Sequence, residues 1–188
     1  MTIKKIVAVV FAVLFMAAGA NAQTQTTEAE NSTDALPTER VCNLTLKDLN
    51  GNIMDLPYFG EKNLFIFYID PDTGIRFRHP NYTFSDVIEE TGVSQGPNLF
   101  GFGILNMADT FLPRGLIRTV ARRRVANNGG LVLEDPDNSL SKAWGLGDCN
   151  GKYMFMIITK EGEIVFLQKE RITEEEKVKF FEIAAKYK

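Results

Sequence analysis

Few residues in this chain have the chemistry to act as nucleophile, base or metal ligand. There are two cysteines, Cys42 and Cys149, and one histidine, His79. The cysteines stand 107 positions apart, so they form no local redox pair and no metal motif. One histidine and two distant cysteines make a poor zinc set, and no metal is expected. His79 would have to be the imidazole base of any triad. It lies in RFRHPNYT, between Arg78 and Pro80, with no G-x-S-x-G nucleophile motif. A loop position is expected for it.

Two acidic stretches offer oxygen ligands. Asp70, Asp72 and Thr73 fall in DPDTG, and Asp135 to Ser139 reads DPDNS. Neither has the acidic ladder and closing Glu of a calcium loop. Both read as solvated turns in which Asp bonds its own backbone. Positive charge is concentrated elsewhere, at Arg114, Arg118, Arg122, Arg123 and Arg124. Arg114, Arg118 and Arg122 recur every fourth residue, so on a helix they share a face. That face suits an anionic ligand, an acidic partner or lipid headgroups. It equally suits a solvated surface paired with local carboxylates.

The whole chain has 188 residues and a net charge of −3, with 21 Lys+Arg against 24 Asp+Glu. That balance argues against bulk nucleic-acid binding. The start reads as a secretory leader: basic MTIKK, the 15-residue apolar run Ile6–Ala20, then Ala20-Asn21-Ala22 as a small-x-small cleavage site. The run is short of the ~20 residues that span a bilayer. A cut after Ala22 and a periplasmic or secreted location are therefore expected, with no stable membrane anchor. An oxidising compartment permits Cys42 and Cys149 to pair. A bond closing a loop of about 100 residues stabilises by up to ~4.7 kcal/mol in the chain-entropy model. Two separate thiols remain the other possibility.

Residues 23–39 are polar and cannot bury enough surface to order themselves, so they read as a flexible linker. The folded domain is expected over residues 40–188. It opens with a β-hairpin about Asn50-Gly51, with Val41, Leu44, Leu46, Ile53 and Leu56 as its buried side. NLFIFYI, residues 63–69, is a continuous apolar run that suggests a central strand buried on both faces. A short helix over residues 83–92 follows, capped by Thr83 or Ser85. Then come a strand over 98–107 loosened by its two glycines, Gly101 and Gly103, the arginine helix, the strand LVLED, and a short helix capped by Asn138 or Ser139 that contains Trp144. A second hairpin turns about Lys160 to Glu163. The last helix opens on the capping box Thr173/Glu176 and carries a stripe of Val178, Phe181 and Ala185 with Phe180 or Ala184 beside it. The order argues an α/β domain with a mixed central sheet, an N-terminal hairpin, and a C-terminal hairpin plus helix.

DPDNSLSKAWGL, MFMIITKEGEIVFL and TEEEKVKFFEIA together resemble the C-terminal half of YtfJ-type periplasmic proteins. More broadly they resemble the redoxin and peroxiredoxin-like branch of the thioredoxin superfamily. Thr159 stands where those families commonly carry Asp. The resemblance implies a thioredoxin-like fold, with Asp72-Thr73-Gly74-Ile75 where such enzymes place Cys-x-x-Cys at a helix start. A peroxiredoxin would follow its Thr with Cys; Thr73 is present and the Cys is not. Lys152 and Tyr153 stand where the proline facing the active site, or a peroxiredoxin's arginine, would fall. These departures imply an exported protein without thiol catalysis or cofactor, binding a protein partner or small ligand. The alternative is a divergent oxidoreductase using Cys149 with Cys42. In it, GLGDCNGK would border the reactive edge, although Asp148 would disfavour a thiolate at Cys149.

Overall fold

The computed structural model describes residues 36–75 and 79–188. The expected leader, most of the linker, Arg76 and Arg78 lie outside the described residues. In chain order the elements are β1 (Thr45–Asp48), β2 (Ile53–Asp55), β3 (Asn63–Ile69), α1 (Pro71–Ile75), α2 (Pro80–Thr91) and β4 (Leu99–Asn106). They continue with α3 (Arg114–Asn128), β5 (Val132–Asp135), α4 (Ser139–Ala143), β6 (Tyr153–Ile158), β7 (Ile164–Gln168) and α5 (Glu174–Tyr187). Among the described residues, no helix is long and apolar enough to cross a membrane.

The strands form one mixed sheet in the order β2-β1-β5-β4-β3-β6-β7. β3, β4 and β5 run parallel, and β6 lies antiparallel to β3. β3 is therefore interior, and residues 64–68 are buried, as the unbroken apolar run requires. Leu64, Ile66 and Tyr68 point to one face, where the N-terminal hairpin and α4 cover them together with Trp144 and Leu146. Phe65 and Phe67 point to the other face, beneath α2 and α5. There the rings of Phe65, Phe84, Phe155, Phe166 and Phe180 meet at centroid separations of 5.4 to 6.5 Å, mostly edge-on. Such arrangements suit ring quadrupoles and explain a core built on phenylalanine.

Both hairpins form. Asp48 fixes the first by accepting from the amides of Asn50 and Asn52, and Gly51 turns with φ +88°. Ile53, however, is 72% exposed. In the short strand β2 the alternation places Met54 opposite Leu46 on the covered side, so Ile53 faces water. α5 opens on the expected capping box, with Thr173 accepting from the Glu176 amide and Glu176 from that of Thr173. Its buried stripe is shifted from expectation: Phe180 and Ala184 are buried, while Ala185 is exposed and Val178 is 60% exposed. Phe180 wins because its ring fills the space between Phe65, Phe84 and Phe166.

α2 starts three residues earlier than expected, and neither Thr83 nor Ser85 caps it. His79 does, with Nδ1 accepting from the Asn81 amide at 3.2 Å, and Pro80 begins the helix. Asn81 is fully buried. Its Nδ2 donates to the carbonyls of Tyr153 and Glu170, each at 2.9 Å, and its Oδ1 accepts from the Ile172 amide at 2.9 Å. One side chain thus ties α2 to β6 and to the segment between β7 and α5. Asn81→Ala strands three backbone groups in the interior, each worth about 1 kcal/mol or more. Urea denaturation should show a loss of roughly 3 kcal/mol. A loss below 1 kcal/mol would mean that water replaces the amide.

Candidate functional site

β3, β4 and β5 all end at one edge of the sheet, the edge where parallel α/β sheets usually hold their ligands. Each delivers acid there: Asp70 after β3, Asp109 after β4, and Asp135 at the end of β5. The expected bonds from Asp to nearby backbone form at Asp70 and Asp135, but the turns are not solvated. Asp70 is 1% exposed, Asp72 4%, Thr73 2% and Asp135 0%. A polar residue directly after a strand covered on both faces emerges under the covering loops, and that position was the available signal.

The bend after β3 is hydrogen-bonded throughout. Asp70 donates its amide to the Lys152 carbonyl at 2.9 Å. Its carboxylate accepts from the amides of Gly151 at 2.7 Å and Asp72 at 2.9 Å. Its carbonyl accepts from the Thr73 amide at 3.0 Å and the Thr73 hydroxyl at 2.6 Å. DPDTG is consequently the first turn of a short helix, α1, rather than a loop. Asp72 accepts from the Thr110 hydroxyl and the Phe111 amide, which orders the segment after β4. Asp135 accepts from the Ser139 and Leu140 amides and from the Tyr68 hydroxyl, so it caps α4 in place of Asn138 or Ser139. Asp109 accepts from the side-chain amides of Asn106 and Asn138. Among the described residues no three His, Cys, Asp or Glu side chains converge as metal ligands do.

The cysteines are both free. Cys42 is exposed; its carbonyl accepts from the Trp144 indole at 3.0 Å. Cys149 lies two residues before the amide that holds Asp70, yet its thiol turns into the core beside Leu140, Trp144 and Leu146. It is 4% exposed and donates to the Ser141 hydroxyl at 3.4 Å. Burial pushes its pKa up and Asp148 adds to the effect, while the Ser141 hydrogen bond and the charges of Lys169 and Lys152 act against it. This is the environment of an inert thiol, not an activated one.

Nor do the arginines form an open cationic face. Arg118 makes a two-pronged pair with Glu134, at 2.7 and 2.8 Å, and the Glu134 side chain is 2% exposed. Arg122 donates to the Leu49 carbonyl at 2.6 Å. Arg124 reaches across to α2, pairing with Glu89 at 2.7 Å and Asp86 at 3.1 Å above the Tyr82 ring. Arg114, the first of the expected row, is exposed at the start of α3. The reading in which these arginines pair with local carboxylates holds at Arg118 and Arg124; the spacing could not say which residues meet them, nor that Arg122 finds a carbonyl.

Between α2 and α3, over β4, lies a half-open cavity of about 760 Å³. Its floor includes Gly101 and Gly103, and its walls carry Ile69, Tyr82, Leu105, Ile117 and Val125. The two glycines showed in the sequence only as a weakening of the strand. None of the expected site residues except Arg124 lines this space.

No family model and no curated protein matches this chain. Solved structures do. A DsbF homologue from Corynebacterium diphtheriae superposes with TM-score 0.59 at 14% identity, covering 86% of this chain and 99% of that one. The exposed lipoprotein thioredoxin of Streptococcus pneumoniae gives 0.54 at 12% identity, with 76% and 99% covered. The reduced 2-Cys peroxiredoxin of Plasmodium vivax gives 0.51 at 13% identity, with 81% and 98% covered. The likeness is one of fold: this is a thioredoxin-fold domain.

Two pH responses follow. Burial raises the Asp70 pKa above its ordinary 3.8, against the Gly151 and Asp72 amides, with Asp72 and Asp109 adding to the rise. The folded state then binds the proton more tightly than the unfolded chain, so this group's contribution falls as pH rises through its folded pKa. Relative to Asp70→Asn, the wild type should gain stability on acidification from pH 7 toward pH 4, measured by denaturant titration. An unchanging difference would refute it. His79 behaves oppositely: burial lowers its pKa below 6.5, reinforced by Lys152 and opposed by Glu170. Its stabilising contribution is lost as pH falls through 6.5, and its NMR titration midpoint should lie below that value.

Proposed function

We propose that this chain is an exported thioredoxin-fold protein that binds rather than catalyses, and that it performs neither thiol–disulfide exchange nor peroxide reduction. The observation that carries this reading is the bend after β3. A thiol enzyme of this fold leaves a thiolate there, facing outward at the start of a helix where the amides lower its pKa. Here the same turn holds Asp70, Asp72 and Thr73, all buried and with their hydrogen-bonding atoms directed inward. The buried thiol of Cys149 supplies no substitute.

The location is part of the proposal: a leader cut after Ala22 and a mature domain in the cell envelope, most akin to the YtfJ-type periplasmic proteins. The support for this is in the leader-like sequence and in the three C-terminal runs quoted above. The partner is a protein or a small ligand.

The test uses the purified mature protein. Insulin-disulfide reduction driven by dithiothreitol, and peroxide consumption, should both run at the rate of buffer alone. One thiol, Cys42, should react with Ellman's reagent in the native protein, and two after denaturation. Catalysis above background that disappears in Cys149→Ser would overturn the proposal in favour of the oxidoreductase.

A further inference from the structure

The two glycines of β4 lie on the cavity side of the sheet for different reasons. A Cβ on Gly101 would fall 2.6 Å from the Ser94 carbonyl oxygen, so the chain's own close approach demands glycine there. Gly103 has no such demand. Its φ is not positive, and a Cβ would meet only Val132 Cγ2 at 3.4 Å and the Leu131 carbonyl at 3.9 Å. Glycine in a strand interior weakens the strand, and one not required by the fold commonly marks where another molecule approaches the backbone. Gly103 pairs with Val132 and Phe67 in the middle of the sheet, directly under the cavity.

We propose that this cavity is the binding site for a small, uncharged, mainly apolar molecule, seated against the bare backbone of Gly103. The inference deepens the binding reading above and rests on it. The volume of about 760 Å³ falls within the ~300–1,000 Å³ of small-molecule sites. The walls are mainly aliphatic and aromatic side chains from β3, β4 and α3, with Tyr82 from α2, and Ser94, Gln95, Asn127 and Asn128 add neutral polar groups. The charged residues among the lining are Asp86, Glu89 and Arg124, and these pair with one another at the mouth. Two carboxylates against one guanidinium leave the mouth with an excess negative charge, which disfavours an anionic ligand such as a fatty acid. The glycine floor leaves a flat patch of peptide, which suits a ring system better than a bulky globular group.

The probe is N-phenyl-1-naphthylamine, an uncharged aromatic whose fluorescence rises in apolar surroundings. The wild-type protein should bind it saturably at one molecule per chain. Gly103→Leu, which fills the space, should weaken binding at least tenfold with an unchanged circular dichroism spectrum and a melting temperature no lower. If that variant does not fold, Val125→Trp narrows the cavity from α3 and carries the same expectation. The anionic analogue 1-anilinonaphthalene-8-sulfonate should bind more weakly than the neutral probe. No saturable binding, equal binding by the filled variant, or preference for the anion would each overturn the inference. The thiol assays are independent: their failure would remove the non-catalytic reading while leaving the cavity result to stand, and the converse holds.

Discussion

The peptide that leaves β3 is the constraint around which this domain is arranged. A strand covered on both faces ends in the interior, and the polar groups beyond its last ladder bond still need partners. Asp70 meets the need with one residue. Its amide and carboxylate bind the loop before β6, while its carboxylate and carbonyl hold the first turn of α1. The bend is thereby stitched to the rest of the sheet edge, and Asp72 extends the stitching to the segment after β4. The bend itself, DPDTG, carries no sulfur.

The same fold elsewhere in the chain leaves room. Where α2 and α5 set Phe84 and Phe180 on Phe65, Phe155 and Phe166, helix and sheet interlock. Over β4 the sheet contributes glycine instead of a large side chain, and α3 packs through Ile117 and Ala121 against Leu105 and Met107 toward one end of the strand. The cavity follows from that difference in side-chain size. Structural rigidity at the bend and open space over β4 thus lie in adjacent parts of one sheet, each set by what the strands place on their surfaces.

Much of the architecture was legible because it rests on local rules. The apolar run of β3, the Asn50-Gly51 hairpin and the Thr173/Glu176 capping box each depend on residues close in the chain. What was missed depends on residues that meet from far apart. Asp70 looked like a turn residue because its partner Gly151 lies 81 positions away. His79 does lie outside the helix, as expected, but its cap on α2 was hidden because that role is set by where the α2 backbone begins, not by residue type. Pairing of the arginines with carboxylates was one of the two readings the helix allowed, but which carboxylates, Glu134, Asp86 and Glu89, is invisible from the helix alone. Gly103 looked like a flaw in a strand until the space above it was seen.

Two of the ties on α3 are ion pairs of different character. Near its start, Arg118 grips Glu134 on β5, whose side chain is 2% exposed; further on, Arg124 clasps Asp86 and Glu89, whose side chains are 50% and 33% exposed. Dissolved ions screen charges in water and hardly reach those shielded by protein. Arg118 is itself 35% exposed, so its advantage lies in the buried carboxylate and the two-pronged geometry; raising the ionic strength therefore weakens the Arg124 pairs, whose carboxylates face water, more than it weakens the Arg118 pair.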